Sequence, residues 1–107
     1  MSVDYRAGLA YGYKVSFDEH TEMNEKSSYE YEDDFICVNS YTCNSDYIFG
    51  TWVKTLPDGA CAPLDLWEIS EALPYGYETH LFMALMAMDR PDLANQKPQI
   101  YLIHQVS

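Results

Sequence analysis

Ala7-Gly-Leu-Ala-Tyr-Gly-Tyr-Lys-Val-Ser-Phe17 alternates large with small. Leu9, Tyr11, Tyr13, Val15 and Phe17 are apolar or aromatic, whereas Gly8, Ala10, Gly12, Lys14 and Ser16 are small or polar. A two-residue period puts one set on each face of an extended backbone, so the stretch reads as a half-buried β-strand and sets the fold class. Gly8 and Gly12 fall on the thin face, where they permit a bulge, a strong twist or the close approach of another backbone.

Downstream, Phe35-Ile-Cys-Val-Asn-Ser-Tyr41 and Tyr47-Ile-Phe-Gly-Thr-Trp-Val-Lys-Thr55 are β-branched and aromatic runs flanking Thr42-Cys-Asn-Ser-Asp46. That pattern predicts a hairpin. Pro57-Asp-Gly59 marks a turn, because proline fixes one dihedral and glycine tolerates positive φ. Pro63 to Leu73 places Leu66, Ile69 and Leu73 on one helical stripe, and a short strand is the other reading. Pro74-Tyr-Gly-Tyr77 breaks it. Glu78 to Asp89 is built of strong helix formers and is stopped by Arg90-Pro91. Its apolar residues lie almost all round, which predicts a helix deep in the fold or against a partner. Pro98 to Ser107 reads as a last strand, with Ile100, Leu102, His104 and Val106 on one face and Tyr101, Ile103 and Gln105 on the other. The expected architecture is α+β: one domain over residues 1–107, a mostly antiparallel sheet of about four strands, and one or two helices. Residues 18–34 are the acidic connecting segment within it.

With 48% hydrophobic and 15% aromatic residues, the 107-residue chain has material for one core. Seventeen acidic against six basic residues give a net charge of −11. That field opposes contact with phosphate backbones and anionic headgroups, and it attracts cationic surfaces at a rate that falls as salt rises. The expected partner is therefore basic, with neither nucleic acid nor membrane bound directly. Met1 to Arg6 has no basic and apolar leader, and the longest strongly apolar run, Leu81 to Met88, is too short to span a bilayer. A soluble, cytoplasmic protein with reduced Cys37, Cys43 and Cys61 is expected.

No reaction signature emerges. The cysteines form no Cys-x-x-Cys pair, and His20, His80 and His104 are not closely spaced, so a zinc site has no support from spacing and no cofactor is expected. Cys37 and Cys61 read as small buried thiols and Cys43 as a turn residue. An EF-hand starting at Asp18 fails at His20 and Met23, which occupy positions needing an oxygen donor and a glycine. Gly8-x-x-x-Gly12 lacks the Lys-Ser or Lys-Thr of a phosphate loop, and no nucleophile elbow frames a serine or cysteine. The expectation is that the chain is not an enzyme.

Recognition is left, and the acids concentrate between Phe17 and Phe35: Asp18, Glu19, Glu22, Glu25, Glu30, Glu32, Asp33 and Asp34. The first half, to Ser28, carries no structural period and reads as a mobile connection. In Tyr29-Glu-Tyr-Glu-Asp-Asp-Phe35, aromatic and acidic residues alternate. Extended, this stretch would align Glu30, Glu32 and Asp34 at ~6.6–6.8 Å intervals, similar to successive phosphates, with Tyr29 and Tyr31 between them. Tyr29, Tyr31, Tyr75 and Tyr77 are the tyrosines best placed for an interface, whereas Tyr5, Tyr11, Tyr13 and Tyr101 suit sheet packing. Met83, Met86 and Met88 read as core filler.

The opening Met1-Ser-Val-Asp-Tyr5, running into Gly8-Leu-Ala-Tyr-Gly-Tyr-Lys-Val15, together with the long acidic connection, the aromatic hairpin and the closing Tyr101-Leu-Ile-His-Gln-Val-Ser107, resembles small phage-encoded proteins of unassigned function. Some small acidic phage proteins are anti-defence inhibitors, including anti-CRISPR proteins that occupy the nucleic-acid groove of a Cas nuclease. The resemblance implies a non-enzymatic inhibitor, acting as a DNA mimic toward a basic nucleic-acid-binding defence protein in the host cytoplasm. The alternatives are a homo-oligomeric phage structural protein, for instance a homodimer, and a small metal-binding protein.

Overall fold

The computed structural model describes residues 5–39, 45–57, 61, 63, 71 and 73–106. Most of the Pro63–Leu73 stretch expected as a helix or short strand, part of the expected 42–46 connection including Cys43, and the expected turn residues after Pro57 lie outside them. The order is β1 (Tyr5–Val15), α1 (Phe17–Lys26), a 3-10 turn (Glu32–Asp34), β2 (Phe35–Cys37), β3 (Tyr47–Pro57), α2 (Tyr77–Ala87), α3 (Pro91–Ala94) and β4 (Gln99–Val106). The strands form one antiparallel sheet ordered β2-β3-β1-β4, which is the expected α+β architecture.

The period read from Ala7 to Phe17 divides the sheet into two faces. Tyr11, Tyr13 and Val15 join Phe49 on the face beneath the helices, where Met23, Leu81, Ala84, Leu85, Met88 and Leu93 close over them. Ala10, Ile36, Ile48 and Ile103 make a second buried cluster, with Trp52, Val38 and Tyr101 packed against it. Phe17 leaves the strand pattern because Ser16 caps a helix there. The β1–β3 register breaks between Leu9 and Ala10, which pair with Lys54 and Trp52 and leave Val53 as a bulge. Gly12 and Gly50 are cross-strand partners. A Cβ on either would run into the opposite backbone, the Phe49 carbonyl for Gly12 and the Tyr11 carbonyl for Gly50. The thin face of β1 is thus a close backbone contact.

Of the two readings of helix α2, deep in the fold or against a partner, the first is corrected: the helix buries Leu81, Ala84 and Leu85 but leaves Phe82, Met83 and Met86 exposed, so it lies on the sheet and is not sunk in the fold. Of the three methionines, Met88 alone is core filler. The helix ends in a Schellman motif: Arg90 N–H donates to the Leu85 carbonyl, Asp89 N–H to that of Met86, and Asp89 takes φ 57°. A left-handed non-glycine residue costs roughly 1–2 kcal/mol. Asp89→Gly should raise stability by about 1 kcal/mol in chemical denaturation, since the exposed Lys26–Asp89 pair it removes is worth little.

Among the described residues no helix is long and apolar enough to cross a membrane.

Candidate functional site: an acidic helix and turn

The segment expected to be a mobile connection is α1. Its start is a capping box: Glu19 N–H donates to Ser16 Oγ, and Ser16 N–H donates back to Glu19 Oε1. Asp18 and Glu19 sit in the first turn and Lys26 in the last, complementing the helix dipole. Its end is a second Schellman motif, with Tyr29 N–H bonded to the Asn24 carbonyl and Ser28 N–H to that of Glu25. Ser28 and Tyr29 both take positive φ, 53° and 63°, and reverse the chain.

That reversal overturns the extended reading of Tyr29 to Asp34. Glu32 N–H donates to the Tyr29 carbonyl and Asp34 N–H to that of Tyr31, so the acids ride on a tight 3-10 turn rather than a strand. Glu30, Glu32 and Asp34 therefore do not form a row at strand spacing. The strand begins only at Phe35.

The fold sorts the ten residues singled out from the sequence. Asp18, Glu22 and Glu25 recur at helical spacing along the outer side of α1, and all three are exposed. Glu30, Glu32 and Asp33 are exposed on the turn beyond it. Glu19 and Asp34 are structural. Glu19 Oε2 meets Arg90 at 2.8 Å, and the same guanidinium forks onto Asp92 at 2.9 and 3.0 Å. Burial would raise the Glu19 carboxyl, but the Arg90 and Ser16 hydrogen bonds outweigh it and hold the group below its ordinary value. Asp92 is pulled down to about 2 by its Arg90 hydrogen bonds. The Arg90 contacts clamp α1 to the loop after α2, and the exposed Lys26–Asp89 pair at 3.2 Å adds little to them. Asp34 Oδ2 meets His80 Nε2 at 3.1 Å and ties the 3-10 turn to α2. Lys26 also reaches Glu22, at 3.5 Å.

The tyrosines divide differently from expectation. Tyr29 and Tyr75 are exposed, but Tyr31 and Tyr77 pack against the core beside the His80 ring. Burial, then the Asp34 charge, pushes the Tyr77 phenol well above its ordinary range. Tyr11 and Tyr13 suit packing as expected, and each also uses its hydroxyl: Tyr11 donates to Glu78 at 2.6 Å and Tyr13 to the Gln96 carbonyl at 2.9 Å. Cys61 is exposed and Cys37 half-buried, so neither is the buried thiol expected. Among the described residues no three His, Cys, Asp or Glu side chains gather as a metal site.

His20, missed as a structural residue in the sequence, anchors α1 to the sheet. Its ring stacks on Tyr47 at 3.8 Å and meets the Phe35 ring edge-on at 4.7 Å. Nε2 lies 2.9 Å from Asn24 Nδ2, and Nδ1 is buried without a hydrogen-bond partner. Burial holds the imidazole below its ordinary 6.5, against the pull of the Glu32 carboxylate. The unfolded chain therefore binds this proton more readily than the native one, and stability present above pH 6.5 is lost as pH falls from there through the lowered native value. Thermal unfolding should show the midpoint falling from neutral pH toward about pH 5, and His20→Phe should flatten that slope. An equal slope in the variant would contradict the assignment.

Comparison of the chain with protein-family models, curated proteins and solved structures finds no match.

Proposed function

We infer that the chain is a non-enzymatic binding protein of the phage inhibitor type, which engages a basic nucleic-acid-binding protein through the outer side of α1 and the turn after it. A CRISPR effector nuclease is the first target to test. The observation that carries this reading is one contiguous segment with Asp18, Glu22, Glu25, Glu30, Glu32 and Asp33 exposed, its backbone fixed at both ends of α1 by caps. Fixed charge is what an electrostatic decoy needs, because a mobile tail would lose the ordering entropy on binding. Discrete carboxylates on a helix and a turn match a groove lined with Lys and Arg by charge pattern, without the strand-like phosphate spacing. Tyr29, at 55% exposure beside Glu30, supplies an aromatic contact at the centre of the segment.

The test is affinity capture from bacterial lysate at low and moderate salt. The expected result is a nucleic-acid-binding protein that is retained at low salt, eluted by added DNA or RNA, and not retained by a variant with Glu30, Glu32 and Asp33 changed to amides. Retention unchanged in that variant would overturn the reading. Asp34 is left intact because its pairing with His80 holds the turn.

A further inference from the structure

The outer side of a surface helix is ordinarily polar or charged. α2 departs from this, since from Thr79 to Met88 it holds no Asp, Glu, Lys or Arg. Its outward residues include Thr79, Phe82, Met83, Met86 and Ala87, all exposed, with Phe82 at 49%, Met83 at 64% and Met86 at 51%. Leu81, Ala84, Leu85 and Met88, buried against the sheet, fix the direction in which this stripe points.

Carboxylates border the stripe. His80, Met83 and Ala87 form one row along α2, and Asp34 meets His80 at 3.1 Å while the Tyr31 ring lies edge-on to it at 5.9 Å. Exposed Glu32 and Asp33 share the 3-10 turn with Asp34, so they are held beside the start of that row. Beyond its other end stand exposed Asp89 and Glu22, which share Lys26. Glu78, one turn before Phe82, stands on the opposite flank, where it accepts from Tyr11.

We propose that α2 docks a basic amphipathic helix of the partner protein. Apolar side chains of that helix at i, i+3 or i+4, and i+7 lie on Phe82, Met83 and Met86, and Lys or Arg on its flanks face Glu32, Asp33 and Asp89. The proposal rests on the acidic-face reading and names the element that the acids attract. Thr79 to Met86 spans two helical turns, about 10.5 Å, which two turns of another helix cover. Helices pack by setting ridges into grooves, and unbranched methionine side chains adapt to the ridge they receive. Charge selects the occupant: a second copy would set net charge −11 against −11, and an anionic membrane is repelled in the same way. The apolar residues all round α2 then serve the sheet on one side and the partner on the other.

The test uses the full chain and two synthetic peptides of about 18 residues made of Leu and Lys, one with its leucines on a single helical face and one of equal composition with them spread all round. At about 150 mM salt the first should bind at least about tenfold more tightly than the second and shift the backbone NMR signals of Thr79 to Ala87. Met83→Gln with Met86→Gln, and separately Phe82→Gln, should each weaken the first peptide about five- to tenfold and leave the second unchanged. All three residues are exposed, so melting midpoints should stay near that of the unchanged protein, and the second variant serves if the first fails to fold. Equal binding of the two peptides, or binding of the first indifferent to both variants, would overturn the docking stripe and leave the acidic-face reading standing. Binding of neither peptide even at about 50 mM salt would overturn that reading as well. A concentration-dependent dimer in sedimentation, abolished by the α2 variants, would assign the stripe to a second copy and overturn the proposal.

Discussion

Gly50→Ala should lower the stability of the domain by about 3 kcal/mol, a midpoint roughly 12–24 °C lower for a domain of this size. The added methyl meets the Tyr11 carbonyl and the Gly12 Cα, which belong to a neighbouring strand and cannot rotate away as a flexible side chain would. Relief requires β1 and β3 to separate, and β1 is the strand that joins β3 to β4. Gly12→Ala should cost a similar amount, because the two glycines face each other across the pair. Gly76 provides the control. It has φ 78° but nothing within 4 Å of where a Cβ would stand, so Gly76→Ala should cost only the ~1–2 kcal/mol of a left-handed alanine. Equal melting of Gly50→Ala and the unchanged protein, in thermal and urea unfolding alike, would contradict the close-contact account of β1.

Changing Asp18, Glu22, Glu25, Glu30, Glu32 and Asp33 together to their amides should leave the fold intact and slow association with a cationic partner by about 10- to 1,000-fold at low salt. These six are exposed, and of their charges only Glu22 has an ion pair among the described residues, the exposed one with Lys26. Their removal relieves self-repulsion, so the melting midpoint should hold or rise slightly. Glu19 and Asp34 must stay, since they lock α1 to Arg90 and the turn to His80. The loss should fall mainly in the association rate, with a smaller change in dissociation, as for charges that steer more than they anchor.

How much of this was readable in the sequence depended on what carried each element. β1 was legible because one side of it is buried, and burial writes a two-residue period into Tyr11, Tyr13 and Val15. The two faces of β4 were assigned correctly for the same reason, but not which one would be covered: Ile103 is buried and Leu102 exposed, although both are apolar. Helix α1 was missed because caps, dipole charges and only a thin apolar contact through Met23 and His20 hold it, so it leaves no hydrophobic stripe. Its one local signal was Ser16-x-x-Glu19, a capping box lying directly after a strand pattern. Tyr29 to Asp34 was misread because its alternation imitates a strand, while the left-handed Ser28 and Tyr29 that turn the chain are not glycines. Composition misled at α2, where Leu, Met and Ala on every side concealed which stripe, Leu81-Ala84-Leu85-Met88, would face the sheet. For the site, the sequence supplied the acids; which of them are clamped and which stand out depended on Arg90 and His80, distant in the chain.

The most direct test of the acidic-face account is the association rate with the captured nucleic-acid-binding protein, measured across about 50–300 mM salt with and without competing nucleic acid. The account predicts a rate that falls steeply with salt, a flat salt dependence in the six-amide variant, and mutually exclusive binding of this chain and the nucleic acid. A rate indifferent to salt, or a ternary complex with nucleic acid still bound, would contradict it.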